Sequence, residues 1–139
     1  MSSVPLKLTL QRIPFAASID NKMRQLKSKT GITPNILARY GFALSLEESG
    51  DPPDPFGYEE AGRDINRNTL LGQHDEVFTA LLRTWLSHNG LLKDCDQKRF
   101  DELFIAHMNR GFELLSARMR NLSGLQNLVA LTPVNQLQP

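Results

Sequence analysis

The chain has 139 residues, 40% hydrophobic and 22% charged, a composition that suits one folded globule and excludes a disordered chain. A net charge of +1 excludes the global basicity of many nucleic-acid-binding domains, yet a surface field depends on where charges sit. Residues 1–39 hold seven cations (Lys7, Arg12, Lys22, Arg24, Lys27, Lys29 and Arg39) against Asp20 alone, whereas residues 40–62 hold six acids and no base.

In chain order, Leu6, Leu8 and Leu10 alternate with Lys7, Thr9 and Gln11. That period of two predicts a strand with one apolar face, bracketed by Pro5 and Pro14. A lone strand has unpaired backbone groups, and a second copy of the chain is their simplest partner, so the strand hints at a dimer. A helix is then predicted from Ser18, whose hydroxyl can cap the first turn. Its buried stripe is Ile19, Met23 and Leu26, with Lys22, Arg24, Lys27 and Lys29 facing outward. Gly31 supplies the left-handed residue of a helix stop. Thr33-Pro34 opens a second helix, a threonine cap with proline at the first helical position. The apolar face of this second helix is Ile36, Leu37, Tyr40, Ala43 and Leu44. Gly41 inside it costs ~1 kcal/mol against alanine and implies close approach of another backbone.

Residues 49–57, SGDPPDPFG, form a loop. The polar stretch 58–73 fits either a short strand or irregular structure. A third helix is predicted over 75–88, with Val77, Phe78, Leu81, Leu82 and Trp85 along one side and Asn89-Gly90 as its stop. A fourth is predicted from about 96 to 122, carrying Phe100, Leu103, Phe104, Met108, Gly111, Phe112, Leu115 and Met119, with Ser123-Gly124 ending it. An uncharged apolar segment and a frayed tail follow. The fold class is mostly α: an N-terminal strand, a helix-turn-helix of ribbon-helix-helix-like order, and two further core helices.

Catalytic chemistry finds little support. His74, His88 and His107 have no metal-ligand spacing, and His107 near Arg110 reads as a packed, satisfied core histidine. Cys95 excludes an internal disulfide, being the only cysteine, and its acidic neighbours raise its pKa instead of activating it. Glu59-Glu60 reads as solvated. No Gly-rich phosphate loop is present. The expectation is a non-enzyme with no catalytic residues, metal or cofactor. MSSVPLKLTL lacks the features of a signal peptide, and no run approaches a membrane span, so a cytoplasmic location is expected. Four cations in eight residues at the helix-turn-helix corner can neutralise phosphates, and Lys7, Thr9 and Gln11 are the side chains a strand could offer to base edges.

Three runs in order carry a resemblance. LKSKTGITPNILARYGFALSL (26–46) has a basic LK-x-x-TGI turn leading into a helix. INRNTLLGQHDEVFTALL (65–82) has a T-L-x-G-x-x segment leading into an apolar helix, and HMNRGFELL (107–115) has an H-x-x-RG close. Together they resemble the DNA sulfur modification protein family DndE over about residues 6–119. Residues 1–124 then form one DndE-like domain and 125–139 a C-terminal extension. The resemblance implies a small, mostly helical, homotetrameric protein that binds nicked double-stranded DNA through surface lysines. It implies work beside a cysteine desulfurase, an ATP-using sulfur transferase and an ATPase-like partner, in the bacterial system that replaces a non-bridging phosphate oxygen with sulfur. Lys27 and Lys29 match the family's basic turn; Lys22, Arg24 and Lys7 join the candidate DNA-binding set through their helix and strand positions. A protein–protein adaptor of the same machinery and a ribbon-helix-helix-type repressor are the alternatives.

Overall fold

In the computed structural model, the backbone of residues 5–130 and the side chains of residues 5–120 are described. The elements are β1 (Arg12–Ala16), α1 (Ala17–Thr30), α2 (Pro34–Glu47), β2 (Ala61–Asn66), α3 (Arg67–Leu71), α4 (Asp75–His88) and α5 (Gln97–Ala130), with a 3-10 turn at Gly72–His74. α5 is the axis of the molecule. Phe100, Leu103, Phe104, Met108 and Phe112 are buried along it, and β1, α1, α2 and α4 deliver Phe15, Met23, Phe42 and Leu82 into the same core.

α2 lies antiparallel on α5: Ser45 meets His107 while Gly41 meets Gly111. The two glycines explain each other. A Cβ built on Gly41 would stand 2.8 Å from the Gly111 carbonyl carbon, and one built on Gly111 would collide with the Gly41 carbonyl. The close backbone approach expected of Gly41 is therefore its seam with α5. The aromatic centre sits beside it, with Phe42 packed 5.2 Å from Phe104 and 5.6 Å from Phe78 between ring centroids.

The sheet has two strands, β1 antiparallel to β2, with Ile13 opposite Ile65 and Arg12 opposite Asn66. This corrects the expected strand over residues 6–11. Those residues are extended but unpaired in any sheet, and the strand begins at Arg12, with Pro14 inside it. Because β1 finds its partner within the chain, the argument for a dimer from an unpaired strand falls away. A two-stranded sheet tolerates Pro14, since one edge of each strand needs no ladder bond. The register slips between Pro14 and Ala16. Asn109 of α5 fills the gap, accepting from the Ala16 N–H (2.9 Å) and donating to the Pro14 carbonyl (3.2 Å). The open reading of 58–73 resolves to β2 and then α3.

The alternation over residues 6–11 is nonetheless real: Leu8 is buried and Leu6 and Leu10 are half-buried against the core. The backbone of this segment is bound by side chains instead of a ladder. Arg83 donates to the Leu6 carbonyl (2.6 Å) and Arg67 to that of Leu8 (2.9 Å). Asp101 accepts from the Thr9 N–H (3.1 Å) and hydroxyl, and Gln97 bonds both backbone groups of Lys7.

Helix ends also differ from expectation in part. α1 begins at Ala17, one residue before the expected cap, and the Glu59 carboxylate caps it from the loop, accepting from the Ser18 N–H (2.9 Å) and hydroxyl (2.8 Å). Thr33 occupies the predicted N-cap of α2, but its hydroxyl makes no capping bond. α4 spans the predicted residues, and Gly90 has φ 69° after it. α5 opens on Asp96, whose carboxylate takes the Arg99 N–H (2.8 Å). It runs through Ser123-Gly124 to Ala130, so those residues do not end it. Of the expected C-terminal extension, 125–139, residues 125–130 continue α5 and the rest lies outside the described residues.

Candidate nucleic-acid interface

The basic corner is built locally. Gly31, at φ 73°, lets its N–H bond the Lys27 carbonyl at 2.8 Å and stops α1. The Thr30 hydroxyl donates to the Leu26 carbonyl (2.7 Å) and accepts from the Ile32 N–H (3.1 Å). Ile19, Met23 and Leu26 are buried as expected, which turns Arg24, Lys27 and Lys29 outward. Lys27 and Lys29 fall in the last turn, where they also offset the negative end of the helix dipole. The positive end of α2 meets that same corner, so the helix ends largely cancel and the local field is set by the ammonium groups.

The four cations of α1 do not form one face. At about 100° per residue, Lys22 and Lys29 lie nearly in line, while Arg24 and Lys27 lie roughly half a turn away across the helix. Their surroundings differ too. Arg24 pairs with Asp20 at 3.4 Å, and Asp20 also holds Arg63 of β2 at 3.2 Å. Lys22 is half-buried on the side of Glu59, whose carboxyl is held below the usual range first by its Ser18 hydrogen bonds and then by the Lys22 charge. Among the described residues no ion pair involves Lys27 or Lys29, and both are exposed. Lys7 is exposed but sits beside Gln97, at the start of α5. The corner lies alongside the later turns of α5, on the order of 30 Å away along that helix. Lys27 and Lys29 thus share the last turn of α1 while pointing to opposite sides of it, and Lys7 lies apart from both. Arg63 is the cation the sequence reading missed; it stands one residue beyond the acidic stretch, and only the strand pairing carries it to Asp20.

The other candidates have structural roles. His107 is fully buried, with Nδ1 2.7 Å from the Ser45 hydroxyl and its ring 4.5 Å from that of Trp85. Its Nε2 has no partner among the described residues, so it is packed but only half satisfied there, and burial followed by the nearby Arg110 charge lowers its pKa to about 3. Arg110 clamps the end of α2, donating to the Ser45 hydroxyl (2.9 Å), the Ser45 carbonyl (2.7 Å) and the Gly50 carbonyl (3.0 Å). The Cys95 thiol is pushed up by burial and by Asp96. Among the described residues no cluster of three or more metal-binding side chains occurs, and no helix is long and apolar enough to cross a membrane.

No curated protein sequence matches the chain. Solved structures share its fold, two of them being the following. DndE from Escherichia coli B7A, involved in DNA phosphorothioation modification, superposes with a TM-score of 0.61 at 22% identity, covering 78% of this chain and 99% of that one. A mutant of DndE involved in DNA phosphorothioation gives a TM-score of 0.55 at 23% identity, covering 76% and 97%. The family model described as DNA sulphur modification protein DndE matches residues 12–123, from the first residue of β1 to well along α5. The match takes in the paired strands, the basic corner and the glycine seam together, and the chain belongs to the DndE family.

Proposed function

We propose that this protein is a DNA-binding accessory subunit of the DNA phosphorothioation machinery, working as a homo-oligomer beside other DNA sulfur modification proteins. It holds duplex DNA, nicked in preference to intact, through the phosphate backbone and performs no chemistry itself. The observation that carries this reading is the exposed pair Lys27 and Lys29, which no carboxylate neutralises among the described residues. Such ammonium groups gain by displacing counterions from phosphates. A nick removes the stiffness of one strand, so a protein that grips backbone without reading bases favours the broken duplex. Base reading by a ribbon has less support, because Lys7, Thr9 and Gln11 lie outside the sheet and the Thr9 hydroxyl is engaged by Asp101.

The test is a gel shift on nicked, intact and single-stranded DNA across salt concentrations, with Lys27→Glu/Lys29→Glu beside the wild type. The expected result is tighter binding to the nicked duplex and weaker binding by the variant on every sequence. The slope of log K against log salt should fall by about 2 for two lost phosphate contacts. An unchanged slope removes both lysines from the interface, and equal binding to intact and nicked duplex removes the preference.

A further inference from the structure

Residues 5–11 lie in a channel whose walls come from other elements. Extended backbone turns the polar groups of successive residues to opposite edges, and each edge of this segment meets its own partners. On one edge the Arg83 side chain of α4 donates to the Leu6 carbonyl at 2.6 Å, and Arg67 of α3 donates to the Leu8 carbonyl at 2.9 Å. On the other edge, held by α5, the Gln97 amide bonds both the N–H and the carbonyl of Lys7. Asp101 accepts there from the Thr9 N–H at 3.1 Å and from its hydroxyl. Gln97 and Asp101 are one helical turn apart, about 6 Å, close to the ~6.6 Å between alternate residues of an extended chain. Between the edges Leu8 is buried and Leu6 and Leu10 are half-buried, while Lys7, Thr9 and Gln11 are exposed.

We infer that this channel is a peptide-recognition groove, that residues 5–11 are its in-chain occupant, and that an extended segment of a partner protein displaces them. The walls read backbone: every bond above ends on a main-chain atom except the one to the Thr9 hydroxyl. Among the described residues Arg83 and Asp101 make no ion pair and bond nothing but this segment. Asp101 is only 8% exposed. An empty channel would leave its carboxylate unsatisfied, so the channel needs an extended chain in it. That chain can be any that offers the same carbonyls and amides. The walls, from Arg67 to Asp101, fall within the part shared with the family, whereas residues 5–11 precede it. The partner segment carries aliphatic residues at its first, third and fifth positions and threonine or serine at its fourth, the pattern of Leu6-Lys7-Leu8-Thr9-Leu10. Exchange is feasible because the resident segment is one leucine deep and its separate bonds can be traded one at a time for the same bonds to an incoming backbone. The resident competes at an effective concentration on the order of millimolar, which keeps weak ligands out. The inference goes beyond the DNA reading and does not rest on it, since the channel lies at the start of α5, away from the basic corner.

The test is fluorescence anisotropy with a labelled peptide PLKLTLQ, beside a control peptide of the same composition whose three leucines are adjacent. The full chain is used as wild type, Leu8→Asp and Leu8→Asp/Asp101→Ala. Leu8→Asp drives the resident segment out and leaves the walls untouched. It should bind PLKLTLQ at least tenfold more tightly than the wild type, which must first release its own segment. Adding Asp101→Ala should lose at least tenfold again, and the control peptide should not bind. Hydrogen exchange on the wild type needs no variant: millimolar PLKLTLQ should speed exchange of the Lys7 and Thr9 amides at least threefold while α4 and α5 stay protected. Should Leu8→Asp fail to fold by circular dichroism, the exchange measurement decides alone. A folded Leu8→Asp that binds PLKLTLQ no better than the control peptide overturns the groove. Unchanged exchange at Lys7 and Thr9 shows that nothing displaces the segment and overturns the inference as well.

Discussion

The seam between α2 and α5 and the extended segment of residues 5–11 are both attached to the same core, by opposite means. At the seam two backbones touch through Gly41 and Gly111, with buried aromatic rings on either side. The N-terminal segment lies along the surface, one leucine deep, and Arg83, Arg67, Gln97 and Asp101 bond its backbone groups one by one. A close-packed seam has no room to relax, so a small change there propagates. A segment held by separate polar bonds loses them independently, each worth ~1 kcal/mol.

Gly111→Ala breaks the contrast hardest. The added methyl group meets the Gly41 carbonyl, and forcing the helices apart should cost ~3 kcal/mol despite alanine's better helix propensity, read as a lower urea midpoint. A loss under ~1 kcal/mol would show that the seam can yield. Acid should strike the seam next. The His107 pKa is about 3 in the fold against 6.5 ordinarily, so between those values the unfolded chain binds the proton and the folded one does not. Its stabilising contribution is complete above pH 6.5 and is lost as pH falls towards 3, at up to ~1.4 kcal/mol per pH unit. His107→Gln should flatten the stability profile in that window; an unchanged slope there would assign the acid sensitivity to other groups.

Asp101→Asn tests the other region. It weakens the two bonds to Thr9 and should cost ~1 kcal/mol, with faster hydrogen exchange confined to residues 5–11. Exchange that rises along α5 as well would mean the segment and the core open together. Smallest of all, Lys27→Glu/Lys29→Glu should change stability by no more than ~0.5 kcal/mol, because both side chains are exposed and neither pairs with an acid among the described residues. A stability loss like that of Gly111→Ala would give these lysines a structural role.

What could be read from the sequence was what depends on near neighbours in the chain. The stripe of α1, the Gly31 stop, proline at the first position of α2, the limits of α4 and the core line of α5 all follow from spacing and turn chemistry. The Thr33 hydroxyl and the Ser18 cap show where local rules gave way, since Glu59 reaches in from far along the chain to serve the start of α1. Of the candidate interface, the corner holding Lys27 and Lys29 was legible. The i, i+4 pair of Arg24 with Asp20 was there to be read from helical spacing, whereas Lys22 facing Glu59 and Arg63 reaching Asp20 were not, because those partners are brought together by the fold.

By itself, then, the sequence determined where α1 stops, where α2 opens and the limits of α4, which residues could be buried, and that two lysines precede a glycine turn. Tertiary structure alone decided that residues 12–16 pair with 61–66 rather than with another chain, and which of two apolar stripes on α2 and α4 enters the core. Periodicity is a local property and records only that a face is apolar. Which apolar face is buried depends on what packs against it, and on this chain α5 covers one stripe of α2 and leaves Tyr40 and Ala43 outside.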